Sequence, residues 1–470
     1  MIGQNDRPYS ERPSPAKRIE VRLRILIITH FYPPRNSMAA HRPYSWAKYW
    51  TLDGHDVTVL TSKKATSFDD LPFDTTFCKV IQAPWLPDFL DVFTKRSAAG
   101  PSLTANEQST LRRLSSAMIT KLIRTIAPIQ QKYGIFYAQR FPDVFMFWRF
   151  KAMKALSDEK EWDVVVSTHG PYATHLLAYK LKKQGRAKRW IADYRDLWVG
   201  NFPYPGIWPF RLYESALERK ILRLADAGTT ANDSFSEKLS ERHPDLRIHT
   251  IENGFEPADI DALPIERYFP EDGIFRIVYT GWMHELRDPS ILFKAVSRLH
   301  DEFMESDKAT PEGLGLRIVF AGPFSQVVQD RAQEAGIAAY VQQIGMVSRS
   351  EALRMQRDAH ALFFMEWKAN GESIFSGKIF EYISSGTEIW ATGGPLDTSV
   401  RDLITQSRTG IHFADNLDML VDLVRARLSA KGKPAVNPNV DYLFQYTRQS
   451  KARTYSNIIK AIVDSEVPNV

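Results

Sequence analysis

The feature that most constrains this chain is a repeated alternation. Short, β-branched apolar runs are separated by longer amphipathic stretches, and within each run the apolar residues are continuous rather than every second one. A strand that is apolar throughout must be covered on both faces, which favours a parallel sheet with helices on either side. The first run, Arg24 to Thr29 (RILIIT), reads as a buried strand that ends in a turn at Pro33-Pro34. A helix follows from about Ala40 to Leu52, with Gly54 as its stop signal. Val57 to Thr61 reads as the next strand, and further strands fall at 163–168, 189–193, 227–231 and 247–251.

The pattern restarts at Phe275. Strands are expected at 275–280, 316–321, 340–344, 360–365, 388–392 and 410–413, with helical stretches between them. The sequence therefore predicts an α/β chain of two doubly wound, Rossmann-like domains in series. A chain of 470 residues has room for them, since domains usually run to ~100–200 residues. The expected division is a polar, Pro-rich and disordered lead-in over 1–20, an N-terminal domain over 21–256, and a Pro- and Asp-rich linker over 257–273. A C-terminal domain over 274–440 and a closing helical stretch over 441–470 complete it. The lead-in lacks the apolar centre of a signal peptide.

Cysteine usage and charge bound the function. A lone Cys78 can form no internal disulfide and no Cys-based metal site; it favours a reducing compartment or a protein indifferent to redox state, and a cytoplasmic location is expected. No apolar run approaches the ~18 residues of a membrane-spanning helix. The net charge of +6 fits anionic partners such as nucleotide or lipid phosphates, or an acidic membrane face. Nucleic acid is set aside, because no recognition motif accompanies the charge and the charge is spread along the chain. The segment 86–160 mixes basic with aromatic residues, Arg112, Lys121, Phe147, Trp148 and Arg149 among them. It reads either as a peripheral membrane or lipid-acceptor surface, or as helices that cover the N-terminal sheet and show a solvated basic face.

Ligands of open α/β sheets bind beyond the carboxyl ends of the strands. In the first domain that rule selects the loop His30 to Arg42, with Asn36, Ser37 and Arg42 as donors, then Thr168-His169-Gly170, and Asp193-Tyr194-Arg195-Asp196. In the second it selects Gly281 to Asp288, Gly322-Pro323, Gly345, Glu366 to Lys378, and Thr392-Gly393-Gly394. Gly281 follows a strand and precedes a helix near Pro289, an arrangement that lets backbone N–H groups approach a phosphate, with Arg287 beside them. Ser376 is placed to cap a helix running to Ser385, and Lys378 and Glu381 share a face of its first turns. That pair reads either as a phosphate cation with a ribose-binding carboxylate one turn deeper, or as an i,i+3 surface salt bridge. His169 reads as a sugar contact or as a packed histidine. Asp193, Arg195 and Asp196 read as acceptor-positioning groups or as a supporting salt-bridged cluster.

These residues resemble a known family. The runs Tyr279-Thr280-Gly281, Arg287-Asp288-Pro289, Phe320-Ala321-Gly322-Pro323, Ile344-Gly345-Met346-Val347 and Gly377-Lys378-Ile379-Phe380-Glu381-Tyr382 occur in the order and spacing of retaining glycosyltransferases of family 4 (group 1), of the two-domain GT-B type. In the first half Phe31-Tyr32-Pro33-Pro34, Gly54-His55-Asp56-Val57, Asp193-Tyr194-Arg195-Asp196 and Glu252-Asn253-Gly254-Phe255 fit too, so the likeness covers about 22–465. It implies two Rossmann-like domains facing a central cleft. The activity implied is transfer of a sugar from a nucleotide-sugar co-substrate to an acceptor hydroxyl, with retention and without a metal. By family pattern Arg287 and Lys378 hold the donor diphosphate and Glu381 the ribose. Gly281 lies at the phosphates, the backbone of Gly345, Met346 and Val347 frames the base, and Glu372 and Ser373 lie near the sugar. The leaving phosphate takes the acceptor proton, so no dedicated base is required.

Two departures from the family pattern stand out. The position eight before Glu381 is Ser373, with Glu372 beside it, where the family often has a glutamate; and Asn36-Ser37-Met38-Ala39-Ala40 replaces a Gly-Gly turn. Both bear on the donor sugar more than on the reaction class. Asp259-x-Asp261 resembles the metal motif of the other glycosyltransferase fold but lies in the linker, and no metal cluster is evident. The basic–aromatic segment points to an acceptor glycan or lipid-linked sugar at the inner membrane face, as in cell-surface polysaccharide or lipid-linked glycan synthesis. The rival readings are a catalytically silent nucleotide-sugar-binding scaffold and a sugar-nucleotide epimerase on the same fold.

Overall fold

The computed structural model describes residues 21–35, 37–63, 71, 73–84, 133, 140–201, 204–283, 287–305, 313–366, 377–394, 399–430 and 432–465. The lead-in over 1–20, nearly all of 86–139, and Asn36, Glu372, Ser373 and Ser376 lie outside the described residues. The chain divides into two compact units, an N-terminal one of Ser14–Glu252 with Lys451–Val470 and a C-terminal one of Asn253–Ser450.

The N-terminal unit runs β1 (Arg24–Ile28), α1 (Met38–Leu52), β2 (Asp56–Lys63), β3 (Lys79–Pro84), α2 (Trp148–Ala155), β4 (Trp162–Thr168), α3 (Ala173–Lys183), β5 (Ala187–Tyr194), α4 (Phe210–Leu222), β6 (Ala227–Thr230), α5 (Asp233–Arg242) and β7 (Ile248–Thr250). Its seven described strands form one parallel sheet in the order β3-β2-β1-β4-β5-β6-β7. The continuous apolar runs are buried as their composition demands: Ile25, Ile27, Val57, Val59, Val164 and Val166 share a core with Trp46 and Trp50 of α1. The terminal residues Ala452, Tyr455 and Ile459 complete that core, and the Trp50 indole donates to the Ala452 carbonyl at 3.1 Å. Strand β3 is absent from the expected set. It is an edge strand in which only Ala83 is buried, so it lacks the continuous apolar signature that marks its neighbours.

The C-terminal unit contains α6 (Pro257–Asp261), β8 (Phe275–Thr280), α7 (Ser290–Met304), β9 (Leu316–Ala321), α8 (Gln326–Glu334), β10 (Val341–Gly345), α9 (Arg349–Asp358) and β11 (Ala361–Met365). It continues with α10 (Gly377–Ser384), β12 (Glu388–Thr392), α11 (Ser399–Ser407), β13 (Gly410–His412), α12 (Leu417–Ala430) and α13 (Val440–Phe444). Its six described strands are parallel and run β10-β9-β8-β11-β12-β13. Alternate residues of β8 enter separate cores, Ile277 and Tyr279 one and Val278 the other, so both faces of the sheet are covered. Burying each such large side chain contributes about 1.5–3 kcal/mol. The expected closing helical stretch over 441–470 is broken into α13 and α14 (Arg448–Asp464), because the strand-like backbone of Phe255 bonds to Tyr446 and Arg448 at the break.

In each sheet the strand order reverses direction next to the first strand, between β1 and β4 and between β8 and β11. The loops leaving those strands diverge there and leave a crevice at the carboxyl edge, the place where this architecture binds ligands.

Candidate functional site

At the switch point of the C-terminal sheet two cations converge on one neutral oxygen. Arg287, from the loop after β8, donates from Nη1 to Tyr279 Oη at 2.8 Å. Lys378, at the second residue of α10, donates from Nζ to the same oxygen at 2.5 Å and to the Trp282 carbonyl at 3.2 Å. The phenol in turn donates to the Trp282 carbonyl at 2.9 Å, so its oxygen accepts two bonds and donates one. Lys378 also lies over the Tyr279 ring, 4.2 Å from its centroid. Arg287 is buried, and Lys378 is partly open to solvent. Desolvation first, and the neighbouring Arg287 second, hold the Lys378 ammonium well below the ordinary lysine range.

A row of glycines forms the floor beside these cations. Gly281, Gly322 and Gly345 end the adjacent strands β8, β9 and β10, and Gly322 N–H donates to the Gly345 carbonyl at 2.9 Å. Gly281 has φ +104°, and a Cβ there would come within 2.5 Å of Lys378 Cε; a Cβ on Gly322 would strike the Gly281 carbonyl. Glycine is therefore required at Gly322 by space, since the clash is with backbone, and at Gly281 by backbone conformation, since the Lys378 end can move aside. Past Gly345, Met346 is exposed and Val347 packs into one of the unit's cores, while Ser348 opens α9 with a capping box to Glu351.

Glu381 does not pair with Lys378, so the i,i+3 salt bridge is not formed. Its carboxylate accepts from Arg349 Nη1 at 2.6 Å and more loosely from Gln356 at 3.4 Å. Arg349 also bonds Asp259 at 2.8 Å, and these two carboxylates outweigh the burial that would lower its guanidinium pKa, raising it instead. Asp259, expected in the linker, thus anchors Arg349 beside Glu381. The sequence patterning does not mark Tyr279, Arg349 or Gln356 as site members; Tyr279 sits in an apolar strand and reads as core. Beside this cluster, a cavity of about 250 Å³ is lined by Asp288, Ser290, Lys294, Glu366, Thr392 and Gly393, with Glu366 held by His412 Nε2 at 2.6 Å.

In the N-terminal unit the selected residues turn inward. Ser37 caps α1 by accepting from the Ala39 N–H. Arg42 and Asp193 are both buried and bond each other at 2.7 Å; Arg42 also donates to the Ile251 carbonyl at 2.5 Å, and Asp193 accepts from Thr229 at 2.8 Å. Such a pair ties α1, β5 and β6 together. Arg195 bonds Asp196 at 3.0 Å, lies over the Phe31 ring and covers Gly170. His169 is fully buried, stacked on Tyr194 at 5.7 Å and Trp198 at 6.4 Å. Burial first, then the nearby His175 and Arg195, lower its pKa well below the ordinary histidine value, so the ring is neutral.

No family model matches the sequence, and no curated protein matches it. Solved structures do match. A glycosyltransferase from Rickettsia africae ESF-5 aligns over 95% of this chain and 100% of its own, with 13% identity and a TM-score of 0.51. The lipopolysaccharide outer core galactosyltransferase WaaB, in its apo form, aligns over 93% and 99%, with 14% identity and a TM-score of 0.50. A trehalose-6-phosphate protein from E. coli bound with UDP-2-fluoro glucose aligns over 94% and 99%, with 9% identity and a TM-score of 0.54. These likenesses establish the architecture: the chain has the GT-B fold of glycosyltransferase structures, two Rossmann-like domains with parallel sheets.

Proposed function

We propose that this protein is a retaining glycosyltransferase of the family 4 type that takes a nucleotide-sugar donor in its C-terminal unit. The observation that carries the reading is the convergence of Arg287 and Lys378 on Tyr279 Oη above a glycine floor at the sheet's switch point. Two cations brought together at one phenol oxygen concentrate positive charge, and a diphosphate is an anion of matching charge. Preorganised cations of this kind stabilise a leaving diphosphate, and in such catalysis that electrostatic stabilisation commonly lowers the barrier more than any other single effect. The reaction then needs no metal, and the leaving phosphate takes the acceptor proton.

Gly281, Gly345, Met346 and Val347 line the nucleotide's path in this reading. Glu381 keeps lone pairs for a ribose diol, because Arg349 and Gln356 occupy only part of its carboxylate's capacity. Glu372 and Ser373 belong near the sugar and Arg195 on the acceptor side, with a glycan or lipid-linked sugar as acceptor; His169, fully buried between Tyr194 and Trp198, packs rather than contacts the sugar. The neighbouring structures include one bound with UDP-2-fluoro glucose, which supports a donor of that class. The test is a thermal-shift screen of UDP-, GDP- and dTDP-sugars followed by turnover assays on the responding donor. A ligand present at 100 Kd adds about 2.7 kcal/mol of stability. No response to any of them removes the reading, and a response without transfer to any acceptor favours the scaffold alternative.

A further inference from the structure

The cavity of about 250 Å³ in the C-terminal unit is separate from the cluster of cations. Lys378 and Glu381 stand on α10, whose Ile379, Phe380 and Ile383 pack into one core of the unit. The cavity lies at the starts of α7 and α12, whose Leu292, Val296, Leu420 and Val424 pack into the other core. It is therefore at the same carboxyl edge of the sheet but on the face opposite α10, and neither Arg287 nor Lys378 lines it. Its volume falls below the ~300–1,000 Å³ of sites for drug-sized ligands, so it has room for a single small ring and not for a nucleotide sugar.

Two polar groups of the lining are deeply buried. Glu366, at the end of β11, is 3% exposed and accepts from His412 Nε2 at 2.6 Å. His412 Nδ1 accepts from the Ala414 N–H at 3.1 Å, which puts the ring proton on Nε2 and makes Glu366 the acceptor of that bond. Thr392, the last residue of β12, is 2% exposed and lines the cavity, and its hydroxyl has no hydrogen-bond partner among the described residues. A buried hydroxyl left without a partner is costly, and a ligand that bonds it recovers that cost. Lys294 and Asp415 line the cavity from exposed positions, and neither has an ion-pair partner among the described residues.

The lining selects the class of ligand. Asp288 and Asp415 join Glu366 as carboxylates and repel an anion. Both helix starts are capped from within, Asp288 accepting from the Ser290 N–H at 3.0 Å and Asn416 from the Met419 N–H at 3.0 Å, so neither offsets that repulsion. Lys294 repels a cation, and no group of His, Cys, Asp and Glu among the described residues could hold a metal ion. Ile291, Met365 and Leu417 supply an aliphatic wall. We infer that this cavity is a binding site for a free neutral hexose. Ring hydroxyls donate to the carboxylates, accept from Lys294 and bond Thr392, while C–H edges of the ring lie on the aliphatic side chains. The inference is independent of the donor reading: a chain that binds a hexose and no nucleotide sugar would retain it.

The test is saturation-transfer NMR of the full chain with glucose, galactose, mannose and N-acetylglucosamine as probes. Saturable binding of at least one of them in the millimolar range is expected, and saturating UDP should not displace it. Thr392→Val, which removes the hydroxyl and keeps the shape, and Lys294→Met should each weaken that binding roughly 3- to 10-fold through one lost hydrogen bond. Unchanged melting temperatures would show that both variants fold, and Lys294 is exposed enough to be replaced without disturbing the core. Absence of binding by all four hexoses, wild-type affinity in both variants, or displacement by UDP would each overturn the inference. So would binding of inorganic phosphate, putrescine or magnesium at the cavity in place of any hexose, read as a response that Thr392→Val or Lys294→Met alters.

Discussion

Arg287 and Lys378, 91 residues apart in sequence, donate to the same atom, Tyr279 Oη, at 2.8 and 2.5 Å. The phenol oxygen can receive both because it has two lone pairs and its own proton goes elsewhere. Removing that oxygen takes an acceptor from each. Tyr279→Phe is expected to destabilise the protein by about 1–3 kcal/mol, since a buried arginine and a partly buried lysine lose this acceptor. Urea unfolding of variant and wild type measures it, and equal midpoints would count against the role assigned to Tyr279.

Binding of a nucleoside diphosphate should depend on pH through Lys378. Its pKa is depressed by desolvation and by Arg287, and a bound diphosphate favours the protonated form. Affinity is therefore expected to fall as pH rises through that lowered pKa, earlier than for an ordinary lysine. Lys378→Ala should abolish this pH dependence and lose about 1.5–3 kcal/mol, one to two decades in rate. Calorimetric titration from neutral to alkaline pH follows the affinity and turnover assays follow the rate; a flat wild-type profile rejects the pH dependence.

The chain Asp259–Arg349–Glu381 separates stability from donor binding. Its members are each less than a fifth exposed, between the regimes of surface and fully buried pairs. Arg349→Met should cost about 1–3 kcal/mol by leaving two carboxylates without their cation, measured by urea unfolding. Glu381→Gln keeps a hydrogen-bonding group of the same shape. It should raise KM for the donor more than it lowers stability, and a purely structural Glu381 would show the reverse.

The buried histidines make the N-terminal unit acid-sensitive. Burial pushes His175 down to about 3 and lowers His169 as well, so both stay neutral in the fold while the unfolded chain protonates near 6.5. The unfolded state then binds more protons, and stability is lost as pH falls below that value, by about 1.4 kcal/mol per pH unit per histidine. His175→Gln should flatten the fall in melting temperature on acidification. An unchanged slope would mean that other groups carry it.

Much of this architecture is legible in the sequence. The runs at 275–280, 316–321 and 388–392 coincide with β8, β9 and β12 because continuous β-branched segments have few alternatives to a doubly covered strand. The half-exposed β3 carries no such signal. Among site residues, Gly281, Arg287 and Lys378 can be chosen because loops at carboxyl ends of strands are a small set. Tyr279 cannot, since a tyrosine inside an apolar strand reads as core, and here it is core in its ring and site in its hydroxyl. A tyrosine two residues before the glycine turn, with a cation in the following loop, is the only local clue to its second role.

What the sequence by itself determined is the alternation of elements, and hence two parallel sheets and the loops from which a site could be drawn. That information is local, because burial leaves its mark on the composition of each segment. The tertiary structure decided which polar groups meet. It placed Glu381 on Arg349 rather than on Lys378, Asp193 on Arg42, and both cations on one phenol. Charged and hydroxyl groups on a loop or helix face have many feasible partners, and only the positions of distant strand ends choose among them.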